Sequence, residues 1–320
     1  MRCISRAKSA ALVCVALISL FTGGCIGGKG ATPVTAYELK NYNQDLYQGK
    51  LYAEELCVAQ NDVALEGYTE DTELHSAALF DLTGERVLYS YKAHERLYPA
   101  STTKIMTALL AIENANLDDQ VTISGNADAS SFSADAQVCG LAKGEVWTLR
   151  VLLGALLLYS GNDAATAIAE YVGGSEEAFV NMMNRRAQEL MANGTHFMNP
   201  HGLHDDNHYT TAYDLYLIFN ECIKHEDFVN IIQSEAYTAY YTDVDGNSQE
   251  ALFTPTNLYA QGEVDVPENV TIVGGKTGTT DEAGYCLILM EKDSSDNPYI
   301  SIVMGASEKP VLYEDMTSLI

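Results

Sequence analysis

Residues 98–107 read Tyr98-Pro99-Ala100-Ser101-Thr102-Thr103-Lys104-Ile105-Met106-Thr107, a pattern that marks the start of a helix. Pro99 breaks the chain, and Ser101 lies at the start of the predicted helix. Apolar residues then recur on one face as far as about Asn116, namely Ile105, Met106, Leu109, Leu110 and Ile112. Because positions i and i+3 share a helix face, we expect Lys104 beside Ser101.

The pair Ser101 and Lys104 has the chemistry of a nucleophile and its base. A serine hydroxyl is a poor nucleophile until a base removes its proton. A lysine amine can act as that base where burial and neighbouring cations depress its pKa. The backbone N–H of Ser101, at a helix N-terminus, also points to where an oxyanion forms during acyl transfer. The stretch therefore predicts an acyl-transfer site.

The remaining chain predicts strands, then helices, then strands. The predicted strands are residues 77–81, 86–91, 269–273, 284–291 and 299–304. The predicted helices after the first are residues 151–159, 164–172, 175–194, 211–223 and a short one from about Tyr313. This order favours an α/β protein of the α+β type, in which both ends of the chain form one sheet around a helical insert.

Two further motifs follow in order, Ser160-Gly161-Asn162 and Lys276-Thr277-Gly278. Each is common by chance, but Asp163-Ala164-Ala165 follows the first of them and Gly274-Gly275 precedes the second. With residues 98–107 they resemble the penicillin-recognising serine enzymes, the superfamily of β-lactamases and DD-peptidases. Within it the chain is most similar to the low-molecular-weight serine-type D-alanyl-D-alanine carboxypeptidases, the penicillin-binding proteins of peptidase family S11.

The resemblance covers about residues 75–315. The further matching stretches are Phe197-Met198-Asn199-Pro200-His201-Gly202-Leu203, Thr210-Thr211-Ala212-Tyr213-Asp214 and Ala283-Gly284-Tyr285-Cys286-Leu287. It implies a five-stranded antiparallel sheet flanked by helices, a helical lobe at about residues 113–215, and a cleft between the lobes. It also implies that Ser101 attacks the D-Ala-D-Ala bond of a peptidoglycan stem pentapeptide, D-alanine leaves, and water hydrolyses the acyl-enzyme. Penicillins and other β-lactams would acylate the same serine.

The resemblance implies a role for each motif residue. Ser101 is the nucleophile and Lys104 its base, and Lys276 is a cation that lowers the pKa of Lys104. Ser160 relays a proton to the leaving amine. Asn162 binds the substrate amide and Lys104.

The resemblance also implies that the edge of the strand that follows Lys276 binds the C-terminal end of the substrate. Thr277 binds the terminal carboxylate, and the N–H of Thr279 is the second oxyanion donor. Gly278 lets the strand approach the substrate without a side chain in the way. Many relatives also hold the carboxylate with an arginine near the C-terminus, but the last arginine here is Arg186. The cations that follow Lys276 are Lys292 and Lys309.

Residues 1–24 predict an export signal. Three cations, Arg2, Arg6 and Lys8, precede an apolar run of about a dozen residues, which is too short to span a membrane. Cys25 follows Thr22-Gly23-Gly24 and resembles the lipidated cysteine of bacterial lipoproteins. Plain cleavage nearby, which leaves a free protein, is the alternative.

The predicted organisation after the signal is a tether and one enzyme domain. Residues 25–72 predict the tether, because the stretch from Gly27 to about Lys50 is polar and has few branched apolar residues. Residues 73–320 predict the DD-peptidase domain, with neither the C-terminal strand domain nor the membrane-bound helix that relatives often carry. We expect the protein at the outer face of the bacterial cell membrane or in the cell wall, held only by an N-terminal lipid.

Composition narrows the possible partners. The chain has 18 Lys and Arg against 44 Asp and Glu, a net charge of −26 that disfavours nucleic acid. The cysteines beyond the signal form no CxxC pair, so we expect structural thiols at Cys57, Cys139, Cys222 and Cys286. Four histidines raise the question of a zinc site, but they lie in a stretch that has the composition of a loop. They are His196, His201, His204 and His208. We predict no metal and no cofactor.

Three other functions share these motifs. A serine β-lactamase of class A needs a Glu-x-x-Leu-Asn setting, which is absent between Ser160 and Lys276. A DD-endopeptidase that cuts cross-links is not separated from a carboxypeptidase by the motifs. A non-catalytic sensor of stem peptides or β-lactams would keep the cleft, but here the nucleophile, base and oxyanion positions are all intact.

Overall fold

The computed structural model describes residues 55–68 and 75–320, and an antiparallel five-stranded sheet lies at its centre. The strands are β1 Ser76–Asp81, β2 Arg86–Tyr91, β3 Gln120–Thr122, β4 Val146–Thr148, β5 Tyr237–Thr242, β6 Ser248–Phe253, β7 Val270–Thr280, β8 Gly284–Asp293 and β9 Pro298–Ala306. The central sheet has the order β2-β1-β9-β8-β7. Ala78 of β1 lies opposite Ile302 of β9, so strands from both ends of the described chain pair as predicted.

The helices lie on both faces of this sheet. They are α1 Lys104–Asn114, α2 Leu149–Gly154, α3 Asn162–Gly173, α4 Glu176–Glu189, α5 Ala212–Cys222, α6 Glu226–Ile232, α7 Leu258–Gln261 and α8 Lys309–Leu319. Strand residues alternate between the faces, as a pleated sheet requires. On β8, Ile288 joins the large core formed with α1 to α6, whereas Leu287 and Leu289 join a second core under α8.

A second sheet, of four strands in the order β3-β4-β5-β6, was not predicted. The strands β3 and β4 have only three residues each, too few for an alternating pattern to be recognised. Strand β5 is mostly half-buried or exposed, so it lacks the apolar face of a core strand. The insert between the central strands is therefore mixed rather than purely helical, and its helices extend past residue 215 to Ile232.

The boundaries at both ends of the domain differ from the prediction. Residues 55–68 pack against the domain, although the predicted tether reached residue 72. Cys57 is fully buried and its N–H donates to the Tyr216 hydroxyl at 2.9 Å, and Val63 pairs with Ser90. Helix α8 begins at Lys309 rather than near Tyr313, because a proline in the first turn is compatible with helix.

The predicted signal, most of the tether and Cys25 lie outside the described residues. Across residues 55–68 and 75–320, no helix has the length and apolar character needed to cross a bilayer.

Candidate active site

Ser101 and Lys104 meet at the start of α1, as their spacing predicted. A 3₁₀ turn at Ala100–Thr103 leads directly into α1. The Nζ of Lys104 donates to the Oγ of Ser101 at 2.9 Å. Ala100 has a φ of 47°, a left-handed conformation that is costly for a residue with a Cβ and that often occurs next to functional side chains. The backbone thus turns sharply to present Ser101 to the cleft.

The Lys104 amine is fully buried, and among the described residues no carboxylate forms an ion pair with it. Besides Ser101, its Nζ donates to the Oδ1 of Asn162 at 2.7 Å and to the carbonyl oxygen of His201 at 2.6 Å. Burial, and then the positive charge of Lys276, lower the pKa of Lys104 well below that of a free lysine. The structure therefore favours the neutral amine that a base requires.

Ser160 and Asn162 enter the site from the junction of a π-helical turn, Ala155–Tyr159, with α3. Ser160 has a φ of 69° and is 5% exposed, so its hydroxyl is held at a fixed place. A Cβ on Gly161 would lie 2.2 Å from the Sγ of Cys139. The glycine between the two functional residues is thus required by close packing.

Lys276 connects β7 to the helical side of the cleft. Its Nζ donates to the Oγ of Ser160 at 2.9 Å and to the carbonyl oxygen of Thr277 at 2.8 Å. The side chain is buried, and burial lowers the pKa of Lys276 to about 7. Ser160 therefore contacts Lys276 directly, and Asn162, two residues further along the chain, contacts Lys104.

Gly278 lies where β7 passes the 3₁₀ turn. A Cβ at this position would be 2.9 Å from the carbonyl oxygen of Pro99 and 3.0 Å from the backbone nitrogen of Ser101. The backbones of β7 and of the nucleophile turn consequently face each other at close range. Thr279, the next residue, is exposed on the cleft, so its N–H and that of Ser101 belong to backbones on either side of the gap.

The site opens into a cavity of about 670 Å³. Six of the predicted site residues line it: Ser101, Ser160, Asn162, Thr277, Gly278 and Thr279. Lys104 and Lys276 lie beneath this surface and reach it through the hydrogen bonds described above. The structure thus brings together the eight site residues that were predicted for the folded domain.

Two residues of the cleft had no role assigned from the sequence: Lys309 was named only as a cation that follows Lys276, and Thr256 was not named. Lys309, in the first turn of α8, lines the cavity and has no ion-pair partner among the described residues. Lys292, the other candidate cation, instead pairs with Asp296 at 2.8 Å. Thr256 lies 2.5 Å, between Oγ1 atoms, from Thr277. No local motif marks Thr256 or Lys309, because each reaches the cleft only through the packing of distant segments.

The histidine group is held by hydrogen bonds within the protein. The ring of His208 lies 2.8 Å from the Oγ1 of Thr103 and accepts from the N–H of Met198 at 3.2 Å. His201 accepts from the N–H of Leu203 at 3.2 Å. Burial is the main cause that lowers the pKa of His201 to about 3 and that of His208 to about 4, so both rings are neutral near pH 7.

Another set of side chains has the spacing of metal ligands, namely Glu113, Glu221 and His225. Arg186 donates to Glu113 at 2.6 Å and to Glu221 at 3.3 Å, and Lys224 donates to Glu221 at 2.7 Å, so both carboxylates already have cationic partners. This group is an ion-pair network on the surface of the helical region.

Comparison with known proteins decides the family. The sequence profile of peptidase family S11, D-alanyl-D-alanine carboxypeptidase, matches residues 64–308. The chain belongs to this family. The family and the fold class predicted from the motifs are therefore confirmed.

Individual S11 relatives support the assignment. The D-alanyl-D-alanine carboxypeptidase DacF of Bacillus subtilis is 36% identical over 240 residues, or 73% of this chain and 58% of DacF. DacC of Escherichia coli is 30% identical over 249 residues, 76% of this chain and 59% of DacC. The chain thus spans somewhat more than half the length of these relatives. The crystal structure of the Streptomyces K15 DD-transpeptidase has a TM-score of 0.72 and 29% identity, and the match covers 79% of this chain and 97% of that one.

Proposed function

We propose that the protein is a serine-type D-alanyl-D-alanine carboxypeptidase that removes the terminal D-alanine from peptidoglycan stem pentapeptides. The observation that carries the proposal is the contact between the Lys104 amine and Ser101. A fully buried amine, which pairs with no carboxylate of residues 55–68 and 75–320, lies 2.9 Å from a hydroxyl that lines an open cleft. This is the arrangement of an activated serine nucleophile.

In its neutral form the Lys104 amine donates its two N–H bonds to Asn162 and His201, and acylation begins when its lone pair accepts the proton of the Ser101 hydroxyl. The serine Oγ attacks the carbonyl carbon of the penultimate D-alanine, and the N–H groups of Ser101 and Thr279 stabilise the oxyanion. Ser160 passes a proton to the nitrogen of the leaving D-alanine, which it can receive from Lys276 at 2.9 Å. Water then hydrolyses the acyl-enzyme ester: its OH joins the acyl group and its remaining proton returns to the Ser101 oxygen. Lys104 gives up the proton that it gained and Lys276 regains the one that it lost by exchange with solvent, which restores the starting state.

Substrate binding uses both walls of the cleft. Asn162 binds the backbone amide of the substrate while it holds Lys104. Thr277 binds the terminal carboxylate, and we assign Lys309 as the cation that supports it, since Lys309 lines the same cavity. Lys309 therefore takes the place of the arginine that many relatives use.

The direct test is release of D-alanine from a stem pentapeptide by the full chain, with Ser101→Ala as the control. We expect the tetrapeptide and one free D-alanine, and no release by the control. The related Streptomyces protein is named a DD-transpeptidase. A second reaction mixture therefore contains an amine that competes with water for the acyl-enzyme. Failure to release D-alanine from the pentapeptide would contradict the carboxypeptidase assignment. A protein that cleaves only a cross-linked dimer would be an endopeptidase.

We also propose that the protein is exported and held at the membrane by a lipid on Cys25, with β-lactams as inhibitors. The sequence of residues 1–25 supports this location. Metabolic labelling with palmitate should mark the wild-type protein, and Cys25→Ala should lose the label and leave the membrane fraction. Membrane retention of the unlabelled variant would contradict the lipid anchor.

A further inference from the structure

A second cavity, of about 420 Å³, adjoins the catalytic cleft. Glu282 lines both cavities, and Tyr98 lines the second. The ring of His204, which lines the catalytic cleft, contacts the ring of Tyr98 edge-on, with 4.7 Å between centroids. We call these three residues, Tyr98, His204 and Glu282, the junction between the cavities. The cleft at Ser101 therefore continues past the junction.

Strand β7 sets the direction of a peptide bound in the cleft. Under the proposed function, the terminal carboxylate lies at Thr277 and the attacked carbonyl at the N–H of Thr279. A peptide extended along the strand advances about 3.3 Å per residue. The strand ends at Thr280, and Glu282 follows in the turn to β8. The substrate residue that precedes D-Ala-D-Ala consequently lies near the junction.

The junction combines a negative charge with an aromatic ring. The Glu282 side chain is 44% exposed, and its carboxylate lies 3.9 Å from the Nδ1 of His204. Asp206 lies 3.3 Å from the other nitrogen of that ring. The ionisable groups that line the second cavity are His75, Glu95, Arg96, Asp206 and Glu282. Because three carboxylates line the second cavity against one guanidinium, its charge favours cations.

We propose that Glu282 binds the side-chain amine of a diamino acid at the third position of the stem peptide. This inference rests on the proposed function and names the substrate class of that site. An ammonium group at the end of an aliphatic chain fits the junction, since the carboxylate pairs with the charge and the Tyr98 ring contacts the methylene groups. Cross-linking through that amine removes the charge, so the site selects stems with a free amine.

The test compares two peptides that differ by one acetyl group, Nα-acetyl-L-Lys-D-Ala-D-Ala and its Nα,Nε-diacetyl form. Wild-type protein should show a kcat/KM about fivefold higher for the free amine, the preference expected of one partly exposed charge pair. Glu282→Gln should bring the ratio to about one, because kcat/KM falls more for the free-amine peptide than for the diacetyl peptide. The matched control is Glu250→Gln, on the exposed strand β6, which should keep the wild-type ratio.

Each outcome separates the inference from the proposed function. A wild-type ratio of one, or an unchanged ratio in Glu282→Gln, overturns the inference and leaves the carboxypeptidase assignment intact. An equal loss on both peptides in that variant would show a structural role for Glu282 and also overturns the inference. Release of D-alanine from neither peptide by the wild type overturns the proposed function, and the inference with it.

Discussion

Replacement of Lys104 by methionine separates catalysis from folding. Methionine keeps the length of the side chain and removes the amine that contacts Ser101 at 2.9 Å. Loss of a positioned base slows a reaction by about 10²–10⁴-fold, so acylation by benzylpenicillin should slow by at least about 100-fold.

The same substitution should leave the domain folded. The Oδ1 of Asn162 and the carbonyl of His201 lose a donor, which costs about 1–3 kcal/mol each. Removal of a fully buried amine offsets this by several kcal/mol of desolvation. We therefore expect the Tm to shift by only about 5 °C.

The assay is intact-mass spectrometry over time after addition of benzylpenicillin, with circular dichroism to measure the Tm. The matched control is Lys224→Met, which removes an exposed lysine that pairs with Glu221 and should acylate at the wild-type rate. A Lys104→Met protein that acylates at near the wild-type rate would refute the assignment of Lys104 as the base.

Three further predictions follow from the packing and the buried ionisable groups. Gly278→Ala should slow penicillin acylation by more than about tenfold, because its Cβ would lie 3.0 Å from the nitrogen of Ser101; a normal rate would contradict the role of this close approach. Burial raises the pKa of Glu291 to about 8, so its stabilising contribution is present below pH 4.5 and is lost as pH rises to about 8. Urea unfolding should therefore show stability falling by about 1.4 kcal/mol per pH unit from this group, and Glu291→Gln should abolish that slope. The lowered pKa values of His201 and His208 act in the opposite direction: their contribution is present above pH 6.5 and is lost as pH falls to about 4, so a His208→Gln variant should lose less stability in acid than the wild type.

The sequence predicted the parts of the site that depend on local geometry. The i, i+3 spacing of Ser101 and Lys104 places both on one helix face whatever surrounds them. Gly278 was expected to let the strand approach the substrate; its close approach to the nucleophile turn, which the structure shows, was not predicted. The hairpin and the last two strands were also found from alternation and turns alone.

The remainder depends on contacts between distant segments. Lys309 reaches the cleft for two reasons: α8 begins early, since Pro310 is compatible with its first turn, and α8 packs on the central sheet. The local sequence pattern reveals neither feature. Gly161 is fixed by the Sγ of Cys139, which lies on a separate loop. Strands β3 and β4 are too short to show a period, and the burial of Cys57, which joins residues 55–68 to the domain, depends on its contact with the distant Tyr216.

The central claim is that Ser101 forms an acyl-enzyme, and intact mass after addition of benzylpenicillin tests it most directly. The wild-type chain should gain the mass of one penicillin and keep it for a long time, and Ser101→Ala should gain none. An adduct that persists in Ser101→Ala would contradict the assignment of the nucleophile. Rapid hydrolysis of the drug without a lasting adduct would instead indicate a β-lactamase.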